Sequence, residues 1–156
     1  MPLHGVDHVG FTVSDLDRTT AWYCRHLDFE PLVRYTNSDI GAEVQVLRHA
    51  DMAVRLSFRR FKAGSSEPFS EFRVGLDHFA LRVADESDLG AWHRRLEGEG
   101  IACNRTDLPE LSILVFRDPD NIQIELCTVI NNDFRGVGSV DPATGKITIP
   151  DAHELC

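Results

Sequence analysis

One segment of this chain occurs twice. His8-Val9-Gly10-Phe11-Thr12-Val13-Ser14-Asp15 is matched seventy positions later by His78-Phe79-Ala80-Leu81-Arg82-Val83-Ala84-Asp85. Both copies show the alternation of a half-buried strand. The same offset carries Ala21-Trp22 onto Ala91-Trp92 and Val54-Arg55-Leu56 onto Ile124-Glu125-Leu126. Agreement at three separated places points to a duplicated unit, and a repeat of this kind constrains the fold more than any local motif.

Each copy reads as a strand, a helix and further strands. In the first copy, Ser14 with Asp17 three residues on resembles an N-cap signal, and Trp22, Tyr23 and Leu27 follow at helical spacing. In the second, the acidic run Asp85-Glu86-Ser87-Asp88 suits a helix N-terminus through the macrodipole. Leu89, Trp92 and Leu96 repeat the helical spacing, and Trp22 and Trp92 are expected as core anchors. Later strands are expected over Gly41 to Leu47, Met52 to Phe58, Ser112 to Phe116 and Ile122 to Val129. Asp118-Pro119-Asp120-Asn121 reads as a hairpin turn, since proline pre-sets φ and Asn tolerates left-handed geometry. The repeats then span about 4–60 and 74–129 of one domain over 1–130. The linker is 61–73, within a polar stretch holding Gly64, Ser65, Ser66 and Pro68, and a tail over 131–156 has no partner in the repeat.

With 156 residues and 42% apolar content the chain can bury a core without cross-links. The formal net charge of −9 argues against nucleic acid as a partner, because phosphate binding needs a concentrated cationic surface. Cys24, Cys103, Cys127 and Cys156 form no C-x-x-C pair, and the N-terminus lacks the pattern of a signal peptide, so a cytoplasmic protein is expected. No apolar stretch approaches the ~20 residues of a membrane span.

His8 and His78 begin equivalent strands and so occupy equivalent positions in the repeat. Glu125 sits between Ile124 and Leu126, where an ionised carboxylate beside a core needs a partner. A divalent metal would be such a partner, and two imidazoles with one carboxylate leave open positions for substrate. At the offset of seventy, Arg55 occupies the place of Glu125. An arginine cannot ligate. It could neutralise a substrate anion, pair with Glu125 in a site without metal, or turn to solvent. His26, His49, His93, His4 and His153 are expected at the surface, and Arg59-Arg60-Phe61-Lys62 as a solvated strand end.

These residues resemble the vicinal-oxygen-chelate superfamily of glyoxalases, bleomycin-resistance proteins and dioxygenases, over about Leu3 to Val129. His8 through Leu16 with Ala21-Trp22-Tyr23 is similar to its first-module opening. Phe116-Arg117-Asp118-Pro119-Asp120-Asn121-Ile122-Gln123-Ile124-Glu125-Leu126 is similar to its closing hairpin, whose glutamate is a metal ligand. The resemblance implies an α+β fold of two tandem βαβββ modules forming an incomplete eight-stranded barrel, assembled as a homodimer. It further implies one divalent ion (Fe, Mn, Ni or Zn) held by His8, His78 and Glu125.

Its members include lyases, isomerases, thiol transferases, ring-cleaving oxygenases and proteins that only sequester drugs. Departures separate them. Arg55 stands where glyoxalase I has a further glutamate ligand. Gly10 stands where the fosfomycin enzymes have threonine, although Arg135 downstream is suggestive of them. Val115 stands where the dioxygenases have tyrosine. The expectation is a metal-dependent enzyme acting on a small oxygen-rich anionic compound, with Arg55 near its charge. The alternative is a drug-sequestering protein of the bleomycin-resistance type. The ligand set favours the enzyme, although fold alone licenses no reaction.

Overall fold

The computed structural model describes residues 5–108 and 111–129, and the backbone of 139–140 and 147–148. Among these residues are two four-stranded mixed sheets, each with a helix between its first and second strands, in the order expected for tandem βαβββ modules. The first module comprises β1 (His8–Thr12), α1 (Leu16–His26), β2 (Glu30–Asn37), β3 (Ala42–Arg48) and β4 (Arg55–Phe61). The second comprises β5 (His78–Arg82), α2 (Glu86–Gly98), β6 (Asn104–Leu108), β7 (Leu111–Arg117) and β8 (Gln123–Val129). Strand order is β1-β4-β3-β2 in one sheet and β5-β8-β7-β6 in the other. In both, the first strand pairs in parallel with the last, and the other pairs are antiparallel. In the tail, β9 (Ser139–Val140) and β10 (Ile147–Thr148) pair with each other. The rest of 131–156, with Arg135 and His153, lies outside the described residues, as does His4.

The chain divides into two compact units, one of 1–70 with 118–122, the other of 71–117 with 123–156. The first unit's core lies between α1 and one face of its sheet. Leu16, Thr19, Tyr23 and His26, three or four residues apart, form the buried stripe of α1. Tyr23 packs on Phe58 at 4.7 Å between centroids and edge-on to Phe29 at 5.9 Å, and Phe58 stacks on Phe11. Aromatic pairs of this kind contribute about 0.5–1.5 kcal/mol each beyond area burial. In the second unit, Leu89 and Leu96 of α2 are buried, as are Leu114 and Phe116 of β7 and Ile124 and Leu126 of β8.

Several local expectations are corrected. Asp15 caps α1, accepting from the Asp17 and Arg18 amides, because Ser14 is committed to Asp120. The last strand of the first module begins at Arg55 and runs to Phe61 instead of covering Met52 to Phe58, so Arg59 and Arg60 lie within it. Trp22 and Trp92 are only partly buried, the latter beneath the Arg95 guanidinium at 5.0 Å, and Tyr23, Leu89 and Leu96 anchor the helices instead. His26 is buried beside Trp22.

The turn at Asp118 belongs to the first unit for a physical reason. Asp120 accepts from the Ser14 amide at 3.1 Å, Arg18 Nη2 at 2.8 Å and Thr19 Oγ1 at 3.4 Å. Asp118 accepts from the Asp120 and Ile122 amides and from the Tyr23 hydroxyl, and Asn121 takes a φ of 67° to complete the turn. Burial, with the charge of Asp120 adding to it, pushes the Asp118 carboxyl up to about 6.

Because the folded carboxyl holds its proton longer than the unfolded one, Asp118 contributes a stability that falls as pH rises from about 4 to about 6. Melting curves of wild type and Asp118→Asn across pH 3.5–7.5 check this. The variant should lose a drop on the order of 3 kcal/mol over that window; identical pH profiles would refute it.

Candidate metal centre

Parallel pairing decides what stands beside each histidine, since laterally paired residues of neighbouring strands point to the same face. In the first unit His8 pairs with Arg55 and Gly10 with Ser57. In the second His78 pairs with Gln123 and Ala80 with Glu125. The residue matching Glu125 is therefore Ser57, and Arg55 matches Gln123. The offset of seventy thus shrinks by two at the last strand. Part of this lies in the final hairpin, whose loop covers 49–54 in the first module and only 118–122 in the second.

Both histidines are oriented alike by the residue before them. Nδ1 of His8 lies 2.9 Å from Oδ2 of Asp7, and Nδ1 of His78 lies 2.8 Å from Oδ2 of Asp77. An ionised carboxylate can only accept, so Nδ1 is the donor to it and Nε2 is the ring nitrogen left for a ligand. Hydrogen bonds from His8 and then from Arg55 hold the Asp7 carboxyl below its ordinary range. Arg55 is thus engaged with Asp7 and supports His8 through it.

In the second unit, Nε2 of His78 lies 3.7 Å from Oε2 of Glu125, beyond hydrogen-bond reach. Glu125 is largely buried, its side chain 13% exposed. Gln123 Nε2 donates to Oε1 of Glu125 at 3.0 Å, which leaves Oε2 toward the imidazole. An imidazole nitrogen facing a carboxylate oxygen at this distance suits two adjacent ligands of a cation, with Asp77 and Gln123 fixing them from behind. Cys127 is 4.0 Å from the same oxygen, but burial and the charge of Glu125 push its thiol up to about 11. Without a bound cation it is therefore a neutral thiol at neutral pH.

Among the described residues no group of three or more His, Cys, Asp and Glu is gathered to hold a metal ion. The structure brings together His78 and Glu125; His8 stands in the first unit with its own aspartate. His93 pairs with Glu97 on the surface of α2, and His49 sits edge-on to Phe29. Sequence reasoning missed Asp7, Asp77 and Gln123, although the repeated Asp-His pair was visible at the offset of seventy. The second unit also holds a cavity of about 480 Å³ lined by Cys103, Asn104, Thr106, Val115, Arg117 and Gln123 among others.

The sequence profile of the Glyoxalase/Bleomycin resistance protein/Dioxygenase superfamily matches residues 5–126. A catechol-2,3-dioxygenase of Bacillus subtilis (strain 168) is 28% identical over 135 residues, 80% of this chain; the chain spans 42% of that relative's length. Among solved structures, a glyoxylase/bleomycin resistance protein/dioxygenase domain from Frankia sp. EAN1pec superposes with a TM-score of 0.75 at 34% identity. That match covers 82% of this chain and 99% of the other. TnmS3, an antibiotic-binding protein from Streptomyces sp. CB03234, superposes with a TM-score of 0.64 at 19% identity, covering 83% and 98% of the two chains.

The geometry around Asp7 predicts that Arg55→Gln raises its carboxyl pKa toward the ordinary value. Side-chain carboxyl NMR titration reads this directly, and an unchanged midpoint would show that Arg55 is not its partner.

Proposed function

Since this chain belongs to the glyoxalase/bleomycin resistance protein/dioxygenase superfamily, we propose that it is a divalent-metal-dependent enzyme acting on a small, oxygen-rich, anionic compound. The reaction is of lyase, isomerase, thiol-transfer or oxygenase type. The ligands are His8, His78 and Glu125, and the ion is Fe, Mn, Ni or Zn. The observation that carries this reading is the His78–Glu125 pair at 3.7 Å with Asp77 behind the imidazole, together with the repeat of the same aspartate–histidine arrangement at Asp7 and His8.

A bound ion supplies Lewis acidity, stabilising negative charge that develops on substrate oxygens. The chain's own residues prepare for it. Asp7 and Asp77 each engage Nδ1 and so orient the imidazole with Nε2 free for an ion. Gln123 holds one oxygen of Glu125 so that the other remains available. Arg55 joins His8 in hydrogen-bonding Asp7, a supporting role in place of the direct contact with substrate.

A second reading is kept by one observation. The cavity of about 480 Å³ in the second unit falls in the size range of small-molecule pockets, and the fold is shared with the antibiotic-binding TnmS3. In that reading the chain sequesters a drug and no bond changes. A cytoplasmic homodimer completes the proposal; sedimentation equilibrium should then give twice the 17.5 kDa chain mass, and a monomer would contradict that part.

The test is elemental analysis of protein purified without a metal-affinity tag, beside His78→Ala and Asp77→Asn. Near-stoichiometric metal is expected in wild type and none in His78→Ala. For Asp77→Asn a loss of about 10–100-fold in affinity is expected. A His78→Ala protein that keeps one tight equivalent would overturn the assignment. No metal after reconstitution of wild type would favour the sequestering reading.

A further inference from the structure

The arginines of the first unit are almost all spoken for. Arg18 pairs with Asp120, Arg34 with Asp17, Arg48 with Glu30, Arg55 with Asp7 and Arg60 with Glu43. Arg59 differs. Among the described residues no carboxylate pairs with it, and its Nε is buried without a hydrogen-bond acceptor. Such a donor is unfavourable to bury, because a guanidinium cannot shed its charge and the lost hydration is not replaced. In a chain of net charge −9, an arginine with a buried donor and no carboxylate beside it calls for a physical reason.

Its position supplies one. Arg59 pairs with Thr12, two strand positions beyond Gly10 and four beyond His8, so all four side-chain positions share one face of the sheet. That face is opposite the one Phe11 and Phe58 present to α1. The guanidinium extends back along the face toward His8: a Cβ placed on Gly10 would lie 3.7 Å from Arg59 Nη1. A side chain larger than alanine at position 10 would compete for the space the guanidinium takes. Gly10 thus keeps room for an arginine on the face that carries His8.

We propose that Arg59 is the anion-binding residue of this face, taking an oxyanion of the ligand, carboxylate or phosphoryl, through the terminal nitrogens of its guanidinium, of which Nη1 reaches toward Gly10. The planar fork of an arginine matches both groups with two parallel hydrogen bonds. This assigns the anion contact to Arg59, since Arg55 is already engaged by Asp7. It deepens the functional reading above by naming the residue that selects an anionic ligand, and it rests on that reading only in placing the ligand beside His8.

The test follows the arginine Nε–Hε signals by NMR while the full-length protein is titrated separately with inorganic phosphate and with acetate. Wild type, Arg59→Gln, Arg59→Lys and Arg55→Gln are compared, with metal content measured on each. A saturable shift of the Arg59 signal is expected with at least one probe, and the probe that saturates identifies the phosphoryl or carboxylate source. Binding should weaken at least tenfold in Arg59→Gln, with metal content unchanged, and survive in Arg55→Gln. If Arg59→Gln does not fold, Arg59→Lys, which keeps the charge and loses the fork, should still weaken binding. No saturation with either probe, or equal binding in wild type and Arg59→Gln, overturns the proposal. Failure of the metal reading is separate: it appears as absent metal in every protein with anion binding intact.

Discussion

In each module the first strand is hydrogen-bonded in parallel to the last, and this pairing determines which side chains accompany the module's histidine. Its register sets Arg55 beside His8 and Gln123 beside His78. Two positions farther along, it sets buried Ser57 in one module and Glu125 in the other. A strand exposes alternate residues on one face, so a slip of one residue would turn Glu125 into the apolar layer beneath α2. Ile124 and Leu126, both buried, oppose such a slip because they would have to leave that layer. The hydrophobic packing of the helix face therefore fixes the polar chemistry of the opposite face.

The aspartates that precede the histidines act at a second level. The Asp-His dipeptide occurs at the same point in both modules, and in both the carboxylate engages Nδ1. Arg55 reinforces this in the first module only, where it holds the Asp7 carboxyl down. The two halves have thus diverged around a common element: one keeps a carboxylate near its imidazole, the other keeps arginines. The turn from Asp118 to Ile122 belongs to the opposite unit from the strands it joins, anchored by Ser14, Arg18, Thr19 and Tyr23.

Much of this was legible in the residues. The offset of seventy located β1 with β5 and α1 with α2, because strand alternation and helical spacing both survive in the two copies. It failed at the last strand, since the first copy accumulates extra residues before it, and apolar Leu56 and Leu126 align plausibly in either register. The second strand of each module escaped notice for another reason: Glu30–Asn37 is exposed along nearly its whole length, so neither face carries an apolar signal. His26 looked like a surface residue because burial in a helix depends on what the sheet places under it. Arg59 could not be told from its neighbour Arg60 in sequence; strand alternation puts one on the face of His8 and the other in solvent beside Glu43.

The proposed function requires one ion held by the imidazoles of His8 and His78 and the carboxylate of Glu125. Metal-edge X-ray absorption on the reconstituted protein tests it most directly, because it counts the ligand types around the ion. Two imidazoles with oxygen ligands are predicted, falling to one imidazole in either His8→Ala or His78→Ala. A first shell containing sulfur, or an imidazole count unchanged by either substitution, would contradict it.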